Sequence, residues 1–233
     1  MKYSEAIKLL IRKGLDEVNH SSAGHLSLST RRKILQAINE PCIIGRISIL
    51  CALKVYPIWN DFFRDDTEII GLITKTEKYL LGQTSKKGLL KDADHLDMFA
   101  DDYMEDDITA SFAAKVAVHA AYDASSDEDM VISDCDSDEE VEAPDEWDTA
   151  FLASLVYNGG VIDLERNKEF WSWYLTDCIE TACANDRLPY PVFANKATLS
   201  VKYIPYRTQL SLWKYNAECR AYVNDIKEVL AKM

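Results

Sequence analysis

Two runs of carboxylates in this chain have spacings that suit divalent cations. Asp101-Asp102-Tyr103-Met104-Glu105 follows the DDxxE pattern, which on a helix gathers carboxylates along one side and can hold magnesium against a diphosphate. All-helical isoprenoid synthases use that chemistry, but with a second motif of NDxx[ST]xxxE form. The nearest match begins at Asn224-Asp225, where Glu228 and Lys232 stand at the Ser/Thr and Glu positions. No base adjoins the first run to hold a diphosphate. Asp134-Cys135-Asp136-Ser137-Asp138 alternates like a calcium loop, yet Glu139 and Asp145 occupy the positions that need Gly and a bidentate Glu. His20, His25, His95 and His119 form no ligand pair, and no GxSxG, GxxxxGK[ST] or GxGxxG occurs. Six cysteines and four histidines could form a dyad in almost any fold, so none is assigned. These residues predict no catalytic centre, no metal and no cofactor.

The elements that would position such residues read as helices. Ile7, Leu10, Ile11, Leu15 and Val18 make one stripe with Gly14 in register, and a short helix is expected over residues 30–38. Pro41 can open the next helix, along which Ile44, Ile47, Cys51, Val55, Ile58, Trp59 and Phe62 share a face. Pro57 is expected to kink or break it near Lys54. Asp65-Asp66-Thr67 should cap the following helix, and Gly82 should end it. An Ala-rich helix is expected over residues 107–122, its small side chains admitting a close neighbour. Residues 147–158 and 164–184 read as two more helices. A closing helix is expected over 210–232, with a short strand-like alternation at Leu199, Val201 and Tyr203. The fold class is therefore all-α, a single multi-helix domain over residues 1–233 with about eight helices. Trp59 and Trp171 should lie in its core, while Trp173 must find a second surface.

Charge is distributed unevenly. Residues 92–148 hold 21 acids and one base, Lys115, for a net −20, while the rest of the chain carries +7. Such a field attracts cationic partners and repels nucleic acid. Residues 124–146 hold 11 acids and no base; with so little to bury they are expected to form a mobile loop. The cluster Asp101, Asp102, Glu105, Asp106 and Asp107 leads into the Ala-rich helix and is the better candidate for a partner-binding surface, since fixing a loop on binding costs entropy. The cysteines lack CxxC spacing and are expected to be buried free thiols. No apolar run reaches the roughly 18 residues of a membrane span, and the first residues carry no signal-peptide core. A cytoplasmic protein without membrane contact is expected.

Three stretches together resemble a known family. Arg46, Ala52 and Val55-Tyr56-Pro57-Ile58-Trp59 are similar to its Arg…Ala…Val-x-Pro-x-Trp helix, followed by Tyr79-Leu80-Leu81-Gly82. Glu146-Trp147-Asp148-Thr149-Ala150-Phe151 with Gly159-Gly160 is similar to its middle helix. Arg166 and Glu169-Phe170-Trp171-Ser172-Trp173-Tyr174-Leu175 are similar to its FWxWYL helix. This is the fifth family of predicted immunity proteins in bacterial polymorphic toxin systems, and the resemblance spans roughly residues 46–184. It implies an all-helical antitoxin that binds and neutralises a cognate toxin protein, often a nuclease of the HNH or endonuclease VII type. It brings no catalytic residues. The alternative from composition is an acidic adaptor or chaperone-like binder of a basic protein.

Overall fold

The computed structural model describes residues 4–63, 66–103, 108–126, 148–159, 163–184 and 188, with 102 and 103 as backbone. They form eight helices and no strand among the described residues. α1 (Glu5–His20) and α2 (Leu28–Ile38) begin at Ser4 and Ser27, whose hydroxyls accept from the third backbone N–H beyond them. α2 ends where Asn39 turns left-handed at φ 47°. α4 (Glu68–Leu80) is capped by Asp66, whose carboxylate accepts from the Glu68 N–H at 2.7 Å. Gly82, at φ +70°, closes it, its N–H reaching the Tyr79 carbonyl and that of Gln83 the Lys78 carbonyl. Both ends follow the sequence expectation.

α3 (Pro41–Phe62) and α6 (Ile108–Ser125) form the centre. α6 packs on α3, α4, α5 (Lys86–Tyr103) and α7 (Thr149–Tyr157). Its alanines 110, 113, 114, 117, 120 and 121 are all buried. Small side chains let α3 and α6 close tightly: a Cβ built on Gly45 would lie 3.2 Å from the Ala124 backbone. α6 runs to Ser125, so residues 124 and 125 of the expected loop are helical. The remainder of that loop, from 127 to 146, lies outside the described residues, as do the expected elements at 199–203 and 210–232.

α3 runs through Pro57 to Phe62; of the kink or break expected near Lys54, the break does not occur. Proline denies the Leu53 carbonyl its usual donor and crowds it. Ile58 and Trp59 beyond it are buried, Trp59 completely, and their burial outweighs the local cost. By length and composition α3 could cross a membrane, yet 72% of its apolar window is buried in the fold. It is the core helix.

α8 starts at Asp163, which caps Leu164–Trp173, then widens through a π turn at Tyr174–Cys178 and ends as Ile179–Cys183. In that turn the Ile179 N–H reaches back to the Tyr174 carbonyl, five residues away. The wider turn buries Tyr174, Leu175, Cys178 and Ile179 together. Trp59 and Trp171 are both fully buried. Trp173 finds its second surface within the fold, where the Lys54 ammonium lies 4.9 Å from its ring and 5.0 Å from that of Tyr157. Cys51, Cys178 and Cys183 are buried free thiols, whereas Cys42 is free but exposed. Cys42 sits in the first turn of α3, before that helix enters the core.

Candidate functional site

α5 packs through a narrow stripe. Leu89, Ala93, Leu96 and Ala100 recur at four- and three-residue steps and are all buried, the spacing that seats one helix along its neighbours. The remaining faces look outward and carry the first acids of the acidic segment. Several of these carboxylates have partners inside the fold. Asp92 pairs with Lys75, and Asp94 accepts from the Tyr122 hydroxyl at 2.8 Å. Burial and the Asp94 hydrogen bond both raise the Tyr122 phenol above its ordinary value. Lys115, the one base of the segment, reaches Asp101 at 2.9 Å and Asp97 at 3.3 Å. Its own burial would lower its pKa, but those two carboxylates outweigh it and hold the ammonium above its usual range.

Of the five carboxylates expected to meet a partner, Asp101 is therefore exposed at the end of α5 and already shares a lysine. Asp102 follows it on the same last turn. Its side chain, with Glu105, Asp106 and Asp107, lies outside the described residues. The DDxxE pattern thus begins on a carboxylate whose cation is a lysine of this chain. Among the described residues, no group of three or more His, Cys, Asp or Glu side chains could hold a metal ion.

The outward face of α5 also exposes apolar side chains. Met98 is 72% exposed and Phe99 37%, with the His95 ring edge-on to Phe99 at 4.6 Å. A shallow groove runs along this face past Lys87, Leu90, Lys91, Asp94 and Met98. The charges along it oppose the helix dipole: Lys86 and Lys87 stand in the first turn and Asp101 and Asp102 in the last. The opposite order is the stabilising one, by about 0.3–1 kcal/mol per charge at an exposed terminus.

A second polar cluster lies inside, and the sequence reading assigned it no role. Arg31 is only 1% exposed. Its Nε donates to Asp148 at 2.8 Å and its Nη1 to the Leu26 carbonyl at 2.5 Å, while its guanidinium lies 5.0 Å from the Trp171 ring centroid and 5.6 Å from that of Phe151. Asp148 also caps α7, accepting from the Phe151 N–H at 2.7 Å. His25 stands edge-on to Phe151 and Trp171. Burial, with Arg31 nearby, lowers its pKa to about 3, so it is neutral near pH 7. Asp123 accepts from Ser48 at 2.7 Å and from Thr149 at 2.5 Å. Burial raises its carboxyl pKa, against the effect of those two hydroxyls. Arg46, the arginine of the first motif, is buried and donates to the Ala182 carbonyl at the end of α8. These groups join helices rather than line a cleft. One signal was available: Arg31 shares a stripe with Ile34 and Ile38, where a charged residue requires a buried partner.

No curated protein matches the chain. A family model described as Immunity protein Imm5 matches residues 11–181, which takes the resemblance back from α3 through most of α1. The match covers well over half of the 233 residues and contains the Arg46, Asp148 and Trp171 helices whose packing is described above. The chain belongs to the Imm5 family of immunity proteins.

Proposed function

We propose that the protein binds and neutralises a cognate toxin of a bacterial polymorphic toxin system, that this toxin is a nuclease, and that the two meet in the cytoplasm. Membership of an immunity family supports the neutralising role. The nuclease reading rests on one observation: −20 of charge concentrated in residues 92–148, part of it displayed along α5. A nuclease holds phosphates in a cationic groove. A protein with this field can compete for that groove, and the same complementarity hastens encounter. HNH and endonuclease VII types are the classes the family resemblance favours. Inhibition then follows from occupancy and needs no chemistry from this chain.

The test uses the toxin domain encoded beside this protein's own gene. Purified protein should abolish its nucleic-acid cleavage at stoichiometric amounts. Replacing Asp101, Asp102, Glu105, Asp106 and Asp107 by Asn or Gln should slow association about tenfold at low salt and flatten its salt dependence. The dissociation rate should change less. The melting temperature must be compared first, because Asp101 pairs with Lys115 and the last two residues precede the N-terminus of α6. A toxin that cleaves no nucleic acid would remove the nuclease assignment. An unaltered on-rate and salt slope in a normally folded variant would remove this acidic cluster from the interface.

A further inference from the structure

At about 100° per residue from the buried stripe of Leu89, Ala93, Leu96 and Ala100, the opposite side of α5 carries Lys87, Lys91, Asp94, Met98 and Asp101. All five are exposed, as is His95 beside them, and Met98 is 72% exposed. The charges on this face are sorted by sign, lysines towards the N-terminal end and carboxylates towards the C-terminal end. They also balance. Asp92 is paired with Lys75, and Asp97 and Asp101 share Lys115. What remains is Asp94 and one carboxylate of that shared pair, set against Lys87 and Lys91, with Lys86 in the same first turn. No negative excess is left for a basic partner to read. The sorting nevertheless breaks two local rules. Lys87 and Lys91 repel as like charges four residues apart, and each end of the helix carries the sign of its own dipole pole. A protein that keeps such conflicts commonly uses them in function.

We propose that two copies of this protein pair through the outward face of α5, antiparallel about a two-fold axis that crosses the helix near Asp94 and His95. A second α5 running the other way removes both conflicts at once: its carboxylates meet the lysines of the first, and opposed helix dipoles attract. Rotation about that axis sets Lys87 against the turn that carries Asp101 and sets Lys91 against Met98. The Lys91 stem then covers the thioether while its ammonium reaches Asp94 of the second copy. Unbranched Met adapts to such a contact. A two-fold interface requires one surface to complement itself, and a face basic at one end, acidic at the other and apolar between does so. The 18 residues of α5 span about 27 Å. One helix face of that length is a small interface, so the association is weak and reversible, with a dissociation constant on the order of tens of micromolar. The pairing goes beyond the toxin-binding reading and is tested on the protein alone.

The full-length protein is followed by sedimentation velocity from about 1 to 300 µM, a range that brackets that constant. Wild type should pass from monomer to dimer across it, and added salt should move the transition to higher concentration. The double variants Lys87→Glu with Lys91→Glu, and Asp94→Lys with Asp101→Lys, should each stay monomeric. A one-to-one mixture of the two should recover the dimer. Both lysines are exposed, so the first variant should melt like wild type. Asp94 and Asp101 also hold Tyr122 and Lys115, and Met98→Ala therefore supports the second variant. It leaves every charge in place and should weaken dimerisation several-fold. Dilute peroxide should oxidise Met98 in the monomeric lysine variant, read by mass spectrometry. A wild type that stays monomeric throughout would leave the face to a different partner. A dimer that survives the lysine variant and Met98→Ala would place the contact elsewhere. Two folded, monomeric charge variants that fail to associate would remove the pairing of opposite ends, and Met98 resistant to peroxide would mean that the chain's own residues cover it. Each of these results overturns the proposal.

Discussion

His25 shows what burial does to a titratable side chain. It lies between Phe151 and Trp171 and close to Arg31, so the fold accepts only its neutral form. Its folded pKa, about 3, lies below the unfolded value near 6.5. The stability this contributes is complete above pH 6.5 and is lost as pH falls towards 3, because the unfolded chain binds the proton first. His25→Leu should therefore flatten the acid limb of the stability–pH curve between those values, by on the order of a few kcal/mol at its foot. Urea titrations at pH 7, 5 and 4 measure it; parallel curves for the two proteins would contradict the assignment. The sequence shows His25 but not this environment, since Phe151 and Trp171 belong to helices more than 120 residues away. Arg31 is similar: its place on an apolar stripe is visible, but its partner Asp148 is 117 positions distant. Asp101 is the converse case. Its exposure at a helix end could be read from sequence; its lysine partner, 14 residues on across a helix junction, could not.

At the scale of elements, local pattern predicted most helices, the Asp66 and Gly82 caps of α4 and the Pro41 start of α3. Ser4, Ser27, Asp148 and Asp163 also accept from a first turn; they were not assigned as caps, although each precedes an apolar stripe. At Pro57 the helix does not break, because tertiary burial overrides a local penalty. Pro57→Ala should test that balance. It restores a donor to the Leu53 carbonyl and relieves the ring, so stability should rise by about 1–3 kcal/mol. Thermal and urea denaturation would measure it. A loss of stability would mean that the proline-imposed geometry is what seats Trp59. The π turn in α8 also escaped prediction: its extra residue is set by how Tyr174, Leu175 and Cys178 fit against α3 and α1, not by a period in the sequence. The α5 stripe Leu89, Ala93, Leu96, Ala100 was legible in principle, but the density of carboxylates around it drew attention to charge instead of spacing.

For the whole molecule, charge was read directly from composition, whereas the arrangement that contains it depends on long-range contacts. Asp123, near the end of α6, accepts from both Ser48 of α3 and Thr149 at the start of α7. The two ends of the acidic stretch between those helices are thus pinned to one another and to the core. The loop-closure entropy of that stretch is offset by contacts that do not belong to it. It follows that chain continuity across residues 127–147 is not what holds the halves together. α7 packs on α3 and α6, and α8 packs on α1 and α3, so separating the fragments exposes apolar surface on both. Two polypeptides, 1–126 and 148–233, should therefore assemble when co-expressed, giving a stoichiometric complex with the helical circular dichroism of the intact protein. Each alone should be insoluble or unfolded. Complementation of this kind would turn an antitoxin into a conditional one, active only in cells that make both pieces.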